Sequence, residues 1–262
     1  MAEFFGKPEW GTPQGAYSWQ HLLFVSLLMV VMVVLAVLLG LLNKNKEADV
    51  KNKVLIWAAF LIDGFELFKI AFNLGASDDA SSWKRDLPLF LCSIQLIVIP
   101  LAAFSKGRLK ESALDFVFIF GILGAVLGTF GAAQNYSVYP VLSFPNVVSG
   151  ITHSISGFAS LYIVISGMAS MKKQNLPILL GILFGFCILA YVANITLDYN
   201  YMFLMSHDGT PYQIFWNLVG GIQPLYSFVV VLLFVIYILG FTAVYNLIKN
   251  KSTQNVSYKV YE

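Results

Sequence analysis

Seven apolar stretches separated by short polar gaps take up most of this chain, and they restrict its fold more than any other feature. They run roughly over Leu22–Leu42, Val54–Leu74, Pro88–Phe104, Ser112–Ala133, Asn146–Met168, Leu176–Leu197 and Ile222–Ile248. A helix needs about 20 mostly apolar residues to cross a bilayer. Charged residues make up only 11% of the chain, against about 25% in a soluble domain. The expectation is an all-α, polytopic membrane bundle of seven transmembrane helices, a single integral membrane domain over residues 1–262 with no room for a soluble one. The first stretch has no basic region before it, is too long for a signal core and is followed by no small-residue cleavage site. It therefore reads as a permanent span.

The gaps between these stretches alternate in charge. Lys44, Lys46, Lys51 and Lys53 fill the first gap. Lys106, Arg108 and Lys110 fill the third, Lys172 and Lys173 the fifth, and Lys249, Lys251 and Lys259 the tail. The other gaps and the N-terminal segment hold Lys7, Lys84 and Arg85, with Arg85 among Asp78, Asp79 and Asp86. Basic loops stay on the cytoplasmic side. An outside N-terminus and a cytoplasmic C-terminus follow, for a multi-pass protein of the cell membrane. Such local charges are topology signals and give no reason to expect a nucleic-acid partner. The oligomeric state is not legible.

Small residues let helices approach closely in lipid, where no hydrophobic drive brings them together. Gly121, Gly124, Gly128 and Gly131 repeat at spacings of three and four on one helical face. Gly181 and Gly185 do so in the sixth stretch. Both sets read as packing surfaces, in a compact bundle rather than an open pore.

Charged groups at mid-bilayer cost at least about 2.5–3.5 kcal/mol each, so those present need a reason. Asp63, Glu66 and Lys69 stand three apart on one stripe of the second stretch, where Lys69 can pair with Glu66. The stripe is either an ion pair that orients a helix or a proton-linked or headgroup-binding cluster. The two cysteines, Cys92 and Cys187, are too few for a disulfide framework or a zinc site, and no metal or other cofactor is expected. Pro88 suits the first turn of a helix with Asp86 or Leu87 near its cap. Cys92 would then lie about one turn in, roughly 6 Å below the outer surface, with Gln95 a turn further on the same face. A thiol near a helix N-terminus is a candidate nucleophile, although a free cysteine more commonly only packs.

His153 would lie about two turns into the fifth stretch, between Thr152 and Ser154. It is either a core histidine satisfied by those hydroxyls or a general acid or base. Asn194 and Asp198 share a face at the outer end of the sixth stretch. Either could orient the second nitrogen of His153 or cap the helix. The outer loop that follows could cover the outer helix ends, and His207 within it reads as solvated.

The string Leu87-Pro-Leu-Phe-Leu-Cys92-Ser93, then His153-Ser154, then Asn194, Asn200-Tyr201-Met202, Pro211 and Gln223-Pro-Leu-Tyr226, resembles the YwaF-type bacterial integral membrane proteins. These are similar to the eukaryotic transmembrane protein 164 family. The resemblance covers about the last two-thirds of the chain. It implies acyl transfer between membrane phospholipids, or from lipoprotein acyl groups, near the outer leaflet of a bacterial plasma membrane. Cys92 would be the nucleophile, His153 the base and Asn194 the third catalytic residue. Gln95, Asn200, Tyr201, Glu66, Lys69 and Asp198 would be substrate-binding residues. Phe90 stands where many bacterial members carry histidine. The alternative is a transporter or lipid-binding protein that uses the Asp63, Glu66 and Lys69 stripe. A membrane scaffold with purely structural polar residues is a third reading.

Overall fold

The computed structural model describes residues 12–76 and 82–259. Lys7, Asp78 and Asp79 lie outside them. Every regular element among the described residues is helical, and the chain forms two compact units, Met1–Ser170 and Met171–Glu262.

The first unit contains α1 (Trp19–Asn43), α2 (Ala48–Ala76), a 3-10 turn at Ser82–Asp86, α3 (Gln95–Phe104), α4 (Gly107–Thr129), the short α5 (Ala133–Val138) and α6 (Phe144–Ile165). Helix α6 is its centre and packs along α4, α1 and α2, while α3 lies against α2 and α4. Small residues permit these approaches. Gly157 of α6 faces Met32 and Ala125, Gly150 faces Leu28, and Gly40 of α1 faces Ile165. Ser160 Oγ donates to Phe118 O at 2.7 Å and Ser156 Oγ to Gly121 O at 3.4 Å. These hydroxyls replace apolar attraction as the link between α6 and α4.

One end of the unit gathers basic residues. Lys110 Nζ donates to Asn52 Oδ1 at 2.7 Å, Asn52 Nδ2 to Ala103 O at 2.8 Å, and Tyr162 OH to Lys51 O at 3.1 Å. Asp115 accepts from the backbone N–H and the hydroxyl of Ser170 at 2.8 and 2.7 Å.

The second unit holds α7 (Leu176–Leu197), α8 (Gln213–Leu218) and α9 (Gln223–Lys259). Helix α7 ends at Asp198, in the left-handed region at φ 52°. Gly181 and Gly185, expected to pack, have no neighbour within 4 Å.

Among the described residues, five helices are long and apolar enough to cross a membrane: Trp19–Asn43, Gly107–Val138, Phe144–Ile165, Lys173–Leu197 and Gln223–Lys251. Large side chains such as Leu27, Val30, Val34, Leu38 and Leu41 stay exposed on α1, as lipid-facing positions must. This is a multi-pass membrane protein. The second expected span is the 29-residue α2, whose apolar run is interrupted by Asp63, Glu66 and Lys69.

The third expected span needs correction. It is not helical from Pro88, because the helix begins only at Gln95 and is ten residues long. That is about 15 Å, half a bilayer core. Asp86 does not cap it. Its carboxylate accepts from Asn73 Nδ2 at 3.0 Å and pairs with Lys69 Nζ at 3.5 Å. Ser93 Oγ closes the intervening turn by accepting from Phe90 N–H at 3.0 Å and donating to Phe90 O at 3.1 Å.

Candidate functional site

The turn before α3 carries Cys92 and is held at both ends, by Asp86, which is bonded to Asn73 and Lys69 of α2, and by the start of α3. The cysteine is half-buried rather than a turn deep in a helix.

The glycine face of α4 carries the geometry. A Cβ added at Gly124 would stand 3.5 Å from both Cα and Cβ of Cys92. A Cβ added at Gly128 would collide with the His153 imidazole. Positions four apart on a helix are neighbours, with about 5–6 Å between them. Cys92 and His153, 61 positions apart in sequence, therefore lie side by side on α4, one turn from each other. The stripe read as packing surface packs on the candidate nucleophile and base themselves.

His153 is half-buried and makes no hydrogen bond among the described residues. The hydroxyls expected to satisfy it turn away. Thr152 Oγ1 donates to Ser149 O at 3.0 Å and Ser154 Oγ to Gly150 O at 2.8 Å, each back onto its own helix. His21 has the opposite setting. Its Nδ1 accepts from Tyr17 N–H at 2.9 Å, so Nε2 donates to Thr129 O at 3.1 Å. It is fully buried, and its ring lies 3.9 Å, centroid to centroid, from Tyr136. His21 fixes the start of α1 to the end of α4, next to Gly128. The sequence reading passed over it.

The α2 stripe reaches the same place. Lys69 Nζ pairs with Glu66 Oε1 at 2.6 Å and with Asp86. It is a charged neighbour of both Cys92 and His153, and Glu66 is a neighbour of Cys92. Asn73 extends the stripe by one turn, a continuation that spacing from Glu66 and Lys69 could have revealed. Asp63 lies one turn away on the other side of Glu66 and is half-buried.

Gln95, the first residue of α3, is fully buried in the first unit, and the remaining expected site residues lie in the second unit. Asn194 accepts from Tyr201 N–H at 2.6 Å and donates to Tyr201 O at 3.1 Å, so both amide atoms serve that backbone. The N–H of Asp198, the residue after α7, donates to Asn194 O. Asn200 Nδ2 donates to Ser206 O at 2.8 Å and Asp208 Oδ2 at 2.7 Å, while Oδ1 accepts from Met205 N–H at 2.9 Å. The Ser206 hydroxyl also donates to Asp208. Tyr201 is fully buried, and burial, with the Tyr199 phenol beside it, pushes its hydroxyl up to about 12. His207 Nδ1 accepts from Gly209 N–H at 3.1 Å. Among the described residues no group of three or more His, Cys, Asp or Glu side chains could hold a metal ion.

The family model described as the TMEM164 family matches residues 16–243, and the match does not extend to the YwaF-type name. No curated protein and no solved structure matches the chain.

Proposed function

This chain belongs to the TMEM164 family, and on that premise we propose that it is a membrane-embedded acyltransferase or transacylase. Its substrates are phospholipid acyl chains, or lipoprotein acyl groups, near the outer leaflet. The observation that carries this reading is the pairing of Cys92 and His153 on adjacent turns of one glycine face, with Lys69 beside both.

The chemistry follows from these groups. His153 takes the thiol proton as Cys92 Sγ attacks the ester carbonyl carbon of a donor lipid. The C–O bond breaks, a thioester forms on Cys92, and the lysolipid leaves with the proton returned by His153. An acceptor hydroxyl then gives its proton to His153 and attacks the thioester, and the sulfur departs as the thiolate. The Lys69 ammonium is a charged neighbour of both Cys92 and His153. Acyl chains reach such a site sideways from the bilayer, so a soluble acyl carrier is unnecessary.

The charge pattern supports seven spans, with α2, whose apolar run is interrupted by charged residues, and the turn plus the short α3 as the two beyond the five long apolar helices. It places the basic ends in the cytoplasm and the N-terminus outside. The Cys92 turn follows the end of α2 opposite Lys51 and Lys53, which supports an outer-face site, in this reading on a bacterial plasma membrane.

A transporter or lipid-binding role for the stripe is the second reading, favoured by the half-buried Asp63 carboxylate. The closeness of Lys69 to Cys92 and His153 weighs against a separate path.

The test is lipid mass spectrometry on the protein in liposomes with acyl-labelled phosphatidylcholine and a lysophospholipid. Label on the acceptor, lost in Cys92→Ala and His153→Ala, is the expected result. Folded protein that transfers nothing across several donors and acceptors would refute the enzyme reading and direct attention to Asp63, Glu66 and Lys69.

A further inference from the structure

Gln95, the first residue of α3, has no exposed surface, and neither Nε2 nor Oε1 has a hydrogen-bond partner. Among the described residues it is the only side chain with two such atoms. An unpartnered buried amide costs about 1–3 kcal/mol in proteins. An apolar residue of the same size would avoid that cost at a helix–helix contact.

The place of this amide gives it a use. The turn that carries Cys92 leads directly into α3: Ile94 N–H donates to Phe90 O at 3.0 Å and Leu96 N–H to Ser93 O at 3.0 Å. Residues three apart in such a turn leave the chain on the same side. Gln95 therefore follows Cys92 by one turn on the Cys92 side. A primary amide offers a donor and an acceptor, so its complement carries an acceptor and a donor. Among the groups of a membrane lipid, an acyl ester on glycerol supplies both as it is cleaved, the carbonyl oxygen as acceptor and the freed glycerol hydroxyl as donor.

Resting on the acyl-transfer reading, we infer that Gln95 is a catalytic hydrogen-bonding residue for a glycerolipid ester. Nε2 donates to the carbonyl oxygen while Cys92 Sγ bonds the carbonyl carbon, and Oε1 accepts from the glycerol hydroxyl that forms as the ester C–O bond breaks. When sulfur adds, the C=O π pair moves onto that oxygen, and the Gln95 amide holds the resulting oxyanion. Collapse re-forms the carbonyl and expels the glycerol oxygen, which takes the proton from His153. A donor aimed at a developing oxyanion contributes more in the transition state than in the ground state.

The test is the single-turnover rate of acyl-Cys92 formation by the full chain in liposomes of acyl-labelled phosphatidylcholine. Wild type is compared with Gln95→Met and Gln95→Glu, and thermal unfolding of each is recorded. The expected result is an acylation rate lower by about 100-fold in both variants. The unfolding midpoint of Gln95→Met stays unchanged or rises, because a buried orphan amide has been removed. Acylation within about threefold of wild type in both variants, or a loss that only tracks a fall in the unfolding midpoint, overturns the inference while the acyl-transfer reading stands. A wild type that forms no thioester overturns both.

Discussion

Two clusters of polar residues in this protein resemble one another in sequence and differ in how their hydrogen bonds are spent. Around Asn194 and Asn200 the amides are committed to backbone: Asn194 closes on Tyr201, and Asn200 gathers Met205, Ser206 and Asp208. Around Cys92 and His153 the opposite holds. The imidazole makes no hydrogen bond among the described residues, the thiol is half-buried, and the Gln95 amide is orphaned. Polar groups that satisfy each other set a shape. Polar groups left unmet inside an apolar unit are available to a substrate. The same contrast separates His21, with both nitrogens used, from His153.

Substitution can break this contrast. The largest effect is expected at Cys92→Ala, with transfer at background, and at His153→Ala, with a loss of about 10²–10⁴-fold. Both variants should keep the wild-type unfolding midpoint, read by lipid mass spectrometry beside thermal unfolding.

Gly128→Ala comes next. Its methyl would occupy the place of the His153 ring, so stability falls by about 1–3 kcal/mol from overpacking and transfer falls with it. Gly124→Ala is the control, because its added carbon meets Cys92 at an ordinary 3.5 Å. It should hold or gain up to about 1 kcal/mol from helix propensity. Equal behaviour of the two variants would count against the glycine face as the seat of the site.

Lys69→Met leaves Glu66 and Asp86 without their shared cation. Losing one partner of a buried pair costs about 3–5 kcal/mol. The effect on transfer should be smaller than at His153, and Lys69→Arg should restore most of the stability.

Asn194→Ala has the smallest expected effect on chemistry. Stability drops by about 1–3 kcal/mol, because the Tyr201 N–H and C=O lose their partners. Transfer per folded molecule stays at the wild-type level. A loss of turnover without a loss of stability would instead return Asn194 to the catalytic set that the resemblance implied.

Much of this was legible in sequence for physical reasons. Helical spacing shows that Glu66 and Lys69 share a face, and they pair. The glycine repeat shows that a neighbour comes close to α4. It cannot say which neighbour, since Cys92 and His153 reach that face from two other segments. The start of α3 was misread because Pro88 suits a first helical turn. The bonds of Asp86 to Asn73 and Lys69, and of Ser93 to Phe90, outweigh that preference. Asn194 was ambiguous between a cap and a partner for His153 until the left-handed Asp198 turned the chain back over it. The orphaned state of Gln95 appears only once α3 is packed on α2 and α4.

The central claim is that Cys92 carries an acyl group between lipids. The most direct measurement is intact-protein mass spectrometry after incubation with a donor phospholipid alone. The account predicts one added acyl mass on Cys92, removed by neutral hydroxylamine or by a lysophospholipid acceptor and absent in Cys92→Ala. Label that reaches the acceptor with no adduct on Cys92, or equally in Cys92→Ala, would contradict it.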